Sequence, residues 1–291
     1  MTGSLKRSSL ITASLIQALR KDSLQRQEGA AASAPWTPAD LFSGSEVGDY
    51  WDFSDLSTMF QDTGKTTPVT TNGDVVGCVV GQRGTIDLIQ GTTSEKPLYA
   101  TGVGSNSQNG IQTVSSSLRR YLEATGVPFV GTDQSIAISM HKFGTAGAYS
   151  QGFGTSFRMD TGVSVSNGIW HSNDVSTWIS RGYDYGNSTQ NDLSSGLGIR
   201  LIDSTHIIRH NAGTYYYDMR RHNGTTEQTG VNLSEPGTAR TATYSRLMVG
   251  YATTSGSEYP NYVFRALAID RHLTDAERDL VEDWMIGGIW A

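Results

Sequence analysis

Four acidic residues, Glu46, Asp49, Asp52 and Asp55, recur three positions apart. Paired carboxylates are what retaining hydrolysis of a glycosidic bond requires, at a separation of roughly 5 Å, which on one strand means acids at alternate positions. No Glu-x-Asp-x-Glu or comparable stretch occurs. A spacing of three suits a turn or a helical face, so these acids read as capping and solvated groups, and no hydrolase is expected. His206 and His210 sit four apart, on one face of either a strand or a helix, but Arg209 lies beside them and no acidic or Cys third ligand is near, so zinc is not expected. Phosphate loops, dinucleotide fingerprints, nucleophile elbows and Cys-x-x-Cys pairs are absent, and no organic cofactor is expected.

The segment 181–192 concentrates hard oxygen donors. Asp184, Asn187 and Asp192 are candidate calcium ligands, against the plainer reading that Asx side chains in a loop bond their own backbone. Trp170, Trp178, Tyr183 and Tyr185 flank that segment and could form the flat aromatic edge on which a sugar stacks; the alternative is that they fill a core. Tyr215, Tyr216 and Tyr217 in succession put rings on both faces of a strand.

These residues need a scaffold, and the sequence supplies three kinds of segment. Residues 4–28 carry a narrow apolar stripe of Ile11, Leu15, Ala18 and Leu19 at helical spacing, with Lys6, Arg7, Arg20 and Lys21 making the segment basic. A lone helix of this length is marginal in water, so the stripe needs a partner surface, either its own body or another subunit. The Gly29–Ala34 linker favours the second, and residues 1–34 are expected to form an anchoring arm ahead of a body spanning 35–291. The arm is not expected to be a signal peptide, because a charged stretch separates its apolar run from the Ala32-Ser33-Ala34 site.

In the body, Thr37-Pro38-Ala39-Asp40 reads as a short helical turn, and alternation then takes over. Ile136, Ile138 and Met140 alternate with Ala137, Ser139 and His141, and similar patterns near 247–251 and 263–269 predict half-buried strands. Turn dipeptides at Asn72-Gly73, Asn167-Gly168, Asn223-Gly224 and Ser255-Gly256, with Gly147, punctuate an antiparallel sandwich of about a dozen strands. Near the end, Thr274-Asp275-Ala276-Glu277 is a capping box opening a helix with Ala276, Leu280 and Trp284 on its docking face and Val281 beside them, stopped by Gly287-Gly288.

Composition agrees with that frame. Thirty-three glycines and only 17% charged residues suit many strands and tight turns. A net charge of -6 disfavours a nucleic-acid partner, no apolar run is long enough to span a bilayer, and a single cysteine leaves no disulfide framework.

The run Trp51-Asp52-Phe53-Ser54-Asp55-Leu56 to Thr70, followed by Asn72-Gly73-Asp74-Val75-Val76-Gly77, resembles the opening of the concanavalin A-like lectin/glucanase (LamG-type) domains of bacteriophage structural proteins. Gln90 to Tyr99 resembles the next shared segment, and Ile269 to Arg278 is similar to the last strand and terminal helix. After Gly77 the chain departs, with Cys78-Val79-Val80-Gly81-Gln82-Arg83-Gly84 in place of the usual Trp and Asp-x-Ser-Gly turn. The resemblance implies an all-β, two-sheet jelly roll with an N-terminal helical arm and a short C-terminal helix. It also implies a virion protein (capsid decoration, head fibre, or tail and baseplate), assembled in the bacterial host cytoplasm, and the missing paired acids make it non-enzymatic by expectation. Its expected partners are other virion proteins and further copies of itself. The alternative is an adhesin for host surface polysaccharide.

Overall fold

The computed structural model describes residues 35–115, 118–130, 133–142, 154–160, 166–174, 177–186, 189–198, 203–211, 214–223, 226–236, 243–252 and 261–287. Between 154 and 198, and from 221 to 245, it describes the backbone and its pairing. The chain divides at Thr37/Pro38. Lys6, Arg7, Ile11, Leu15, Leu19, Arg20 and Lys21 lie outside the described residues.

A 3-10 turn, Pro38–Leu41, opens the body, as the Pro at its first position predicts. The strands follow in order: β1 (Gly48–Asp52), β2 (Met59–Phe60), β3 (Cys78–Val80), β4 (Asp87–Ile89), β5 (Leu98–Val103), β6 (Gln108–Gln112), β7 (Val114–Ser115), β8 (Leu118–Arg119) and β9 (Leu122–Val130). Longer strands come next: β10 (Gln134–Lys142), β11 (Gly154–Asp160), β12 (Ser166–Asp174), β13 (Thr177–Gly186), β14 (Thr189–Gly198) and β15 (Asp203–Asn211). The last are β16 (Thr214–Asn223), β17 (Thr226–Pro236), β18 (Thr243–Ala252) and β19 (Asn261–Ile269), before helix α1 (Asp275–Ile286). Described strands outnumber the expected dozen because short pieces such as β2, β7 and β8 carry too few residues to alternate visibly.

Two antiparallel sheets result. One runs β17-β16-β15-β10-β19-β6-β5, with β1 also on β19; the other runs β14-β13-β12-β11-β18-β9-β4-β3-β2; β7 and β8 pair separately. One apolar cluster joins them: Ile136, Ile138, Ile208, Tyr217, Ala266 and Ala268 from the first sheet meet Met59, Val79, Leu88, Leu122, Leu247 and Val249 from the second. The body is therefore a two-sheet sandwich with a shared core.

Register explains where sequence reading falls short. β10 was expected to be half-buried, yet both faces are covered. Ile136 and Ile138 lie opposite Ile208 and His206 on the core side, while Ala137 lies opposite Ile207 on the other side, where α1 docks. Ala137 and Ser139, which alternate with Ile136, Ile138 and Met140, read as solvent positions but are buried. Asn72-Gly73 does turn, with Gly73 at φ +91°. Asn167-Gly168 does not: it lies inside β12, paired to β11 on one side and β13 on the other, and two ladders override a local turn preference.

Helix α1 forms as its signals predict. Thr274 accepts from the Glu277 amide, Glu277 accepts from the Thr274 amide, and Gly287 closes the helix at φ +65°. Its buried face is a correction. Ala276 and Leu280 are exposed and Trp284 half-buried, whereas Val281, Glu282, Met285 and Ile286 are buried. The docking face carries charge: Arg278 reaches Asp218 at 3.2 Å and Arg220 lies 2.6 Å from Glu282, so a reading that counts only apolar types rotates the stripe.

Candidate functional site

The segment 181–192, expected as a loop, is a hairpin of β13 and β14, because its residues pair with those of both neighbouring strands. Asp184 lies opposite Asn167 and Asn191, Asp192 opposite Tyr183, and Asn187 falls outside the described residues. Trp170 lies opposite Arg181, with Tyr183 and Tyr185 two and four positions further along β13, so these three share one parity of the β12–β13 ladder. Trp178, opposite Asn173, falls on the other parity. Ladder register thus groups three of the four aromatic positions; the side chains themselves lie outside the description.

Asp49, just before the opening motif, and Asp52, Asp55 and Asp62 within it are placed in full. Asp49 is wholly buried, and its carboxylate accepts five hydrogen bonds of 2.8–3.0 Å, from the amides of Tyr50, Arg83, Thr85 and Ile86 and the Thr85 hydroxyl. Gly81 permits this closeness, since a Cβ there would overlap the carboxylate. Asp52 accepts from Ser54 and from Arg265 Nε at 2.9 Å, and Asp55 caps the turn at Ser57. Asp62 accepts amides from Thr66 and Thr67, which hold its carboxyl down at about 2. All four carboxylates organise turns or strand contacts. The long-range partners of Asp49 could not be read from a spacing of three.

Two buried histidines have hydrogen-bonded roles. His206 contacts the Ser204 hydroxyl at 2.8 Å and the Tyr217 hydroxyl at 2.9 Å, inside the sandwich. His141 Nδ1 lies 2.7 Å from Asp203, whose carboxylate also accepts from the Ser105 amide and the Asn106 side chain. This ties the β5–β6 hairpin to the sheet. Among the described residues no group of three His, Cys, Asp or Glu side chains is arranged to hold a metal. Cys78 is buried in the core, and burial pushes its thiol up to about 11. Of the tyrosine run, Tyr217 is in the core, and Tyr216 lies beneath the Arg209 guanidinium at 5.1 Å, on the face that α1 shares.

A pocket of 340 Å³ opens where β1, the turn into β4, and β9 meet, lined by Glu46–Gly48, Arg83, Thr85–Asp87 and Ala124–Val127. Arg83 is pinned there. Its guanidinium lies 4.1 Å above the Phe42 ring, and Nη1 donates to the carbonyls of Gly48 (2.9 Å) and Glu46 (3.3 Å). Sequence reading missed this pocket. The available signal was Gly126 and Pro128 inside an otherwise strand-like stretch, a combination that marks a bulge.

No protein-family model matches the chain, and no curated protein matches its sequence. Solved structures do resemble it. A GH54 α-L-arabinofuranosidase variant soaked with 4-nitrophenyl α-L-arabinofuranoside superposes with a TM-score of 0.51 at 12% identity, over 83% of this chain and 62% of that one. A botulinum neurotoxin C/D mosaic receptor-binding domain gives 0.48 at 9%, over 83% and 51%. The CBM2 module of the Dit protein of Lactobacillus casei BL23 phage J-1 gives 0.45 at 9%, over 78% and 99%. At these identities the first likeness speaks to the β-sandwich fold alone, and the other two superpose too loosely to bear on the argument. The chain spans less than two thirds of the arabinofuranosidase and of the toxin domain.

Proposed function

We propose that the protein is a non-catalytic structural component of a bacteriophage particle: a concanavalin A-like jelly-roll body fastened to other virion proteins by its basic N-terminal arm. The observation that carries this reading is the use made of four acids in and just before the opening motif. Asp49, Asp52, Asp55 and Asp62 are all spent on turns and strand contacts, which supports a scaffold and not a hydrolytic centre. The LamG-type motifs and the opposite charges of arm and body support the particle context. Among the described residues no helix is long and apolar enough to cross a membrane. Incorporation into particles tests the tether: a chain lacking residues 1–34 should fold but stay out of the particle, and normal incorporation refutes the arm's role. Release of sugars from host envelope polysaccharide by the pure protein would refute the non-catalytic reading.

A second reading, an adhesin for host surface polysaccharide, is favoured by the mixed polar and apolar pocket beside Arg83. Glycan-array binding by the full chain tests it.

A further inference from the structure

The pocket beside Arg83 is a break in a β ladder. β4 pairs with β9 only through Ile89 and Glu123. In an antiparallel ladder two steps back on one strand match two steps forward on the other, so continued pairing would set Asp87 against Thr125 and Thr85 against Val127. Among the described residues neither pair forms, and the gap between those segments is the pocket. Two features hold the strands apart. The Asp49 carboxylate takes the amides of Thr85 and Ile86, which keeps that segment turned towards β1. On the other wall, Gly126, Val127 and Pro128 stand between the pairs Thr125–Arg246 and Phe129–Tyr244, a bulge that opens at Gly126 with φ +74°.

The chemistry of the walls selects a ligand. Ala124–Val127 pair with no strand on the β4 side, so backbone donors and acceptors edge the cavity, beside the exposed side chains of Thr85 and Thr125. Arg83 Nε and Nη2 have no partner among the described residues and are not sealed from solvent. Val47, Ile86, Ala124 and Val127 supply an apolar side. The charges are balanced or slightly negative: Glu46 is held by the Gly44 amide and Arg271, and Asp87 by Lys65, so an acidic ligand gains nothing there. At ~30 Å³ per water-sized group the volume suits about a dozen non-hydrogen atoms, the content of one hexose ring.

We infer that this broken ladder between β4 and β9 binds a single neutral pyranose unit of a polysaccharide, with Arg83, Thr125 and the free backbone edge of β9 recognising its hydroxyl groups. The proposal rests on the adhesin reading and adds the site and the ligand class.

The test uses the full chain with free glucose, galactose, N-acetylglucosamine and glucuronate, followed by amide chemical shifts and calorimetry. Saturable shifts at Thr125 and Gly126 with a neutral sugar, weakened at least tenfold by Thr125→Trp but not by Thr101→Trp, are the expected result. Thr101 is an exposed threonine outside the pocket and serves as the control. Neutral-sugar shifts that map elsewhere, or binding that Thr125→Trp leaves intact in a folded protein, overturn the site while sparing the adhesin reading. Preference for glucuronate overturns the ligand class. No saturable binding by these sugars, together with a blank glycan array, overturns both. Because the shift map is read on the unsubstituted chain, the site remains testable even if Thr125→Trp fails to fold.

Discussion

Asp49 concentrates more dependence on one side chain than any acid of the opening motif that follows it. Replacing it by alanine strands four buried or half-buried amides and a hydroxyl, and an orphaned buried donor costs about 1–3 kcal/mol. Asp49→Ala is therefore expected to lower unfolding free energy by at least ~3 kcal/mol in a denaturant titration, and a loss under ~1 kcal/mol contradicts the role assigned to it. Gly81→Ala should cost a similar amount, since its Cβ displaces the same carboxylate. Such a residue is half-legible in sequence. Its acidic type and its place before Tyr50-Trp51 are visible, but its partners in residues 83–86 become neighbours only once β1 pairs with β19 and the 81–86 turn folds onto it. The same holds for His141 and Asp203, joined across a ladder and 62 positions apart in the chain.

At the scale of elements, helix α1 is the part whose limits could be read from local chemistry and whose docking could not. The capping box and Gly287 formed as expected because both depend on neighbours within a few residues. The docked face depends on Arg209, Asp218 and Arg220, which arrive from β15 and β16. Arg209 bridges Asp218 at 2.9 Å and Asp275 at 2.8 Å, and burial still drives the Asp218 carboxyl above its usual range. Burial likewise lifts Glu282 from 4.5 to about 7, with Arg220 pulling the other way. Between those two values the folded chain keeps a proton that the unfolded chain has shed, so stability falls as pH rises through about 7. Glu282→Gln should remove that slope, raising the unfolding free energy above pH 7 by about 3 kcal/mol, read as a higher Tm, while changing little below 4.5. An unchanged slope would show that the helix face is wetter than described. Glu277 runs opposite: burial resists, but Arg271 and the Thr274 amide hold it at about 2, so its contribution is present above 4.5 and is lost as pH falls towards 2. Thr274→Ala, which removes the cap, should cost about 1 kcal/mol by thermal unfolding.

For the whole molecule, the all-β class and the sandwich were legible because alternation and turn dipeptides are short-range signals repeated many times over. That both faces of β10 are covered was not, since the second cover is a helix more than a hundred residues away. The broken ladder was also hidden, because it is a relation between β4 and β9 and not a property of either. These features describe a two-sheet body whose opening acids hold turns and strand contacts and whose one described α-helix is clamped by ion pairs; this is the body we propose to be carried on a virion. Imaging of the intact particle at residue resolution tests that claim most directly. The account predicts the two-sheet body on the particle, with Ile11, Leu15 and Leu19 seated against a neighbouring virion protein and Lys6, Arg7, Arg20 and Lys21 facing acidic groups. A body missing from the particle, or residues 1–34 folded back on their own sandwich, would contradict it.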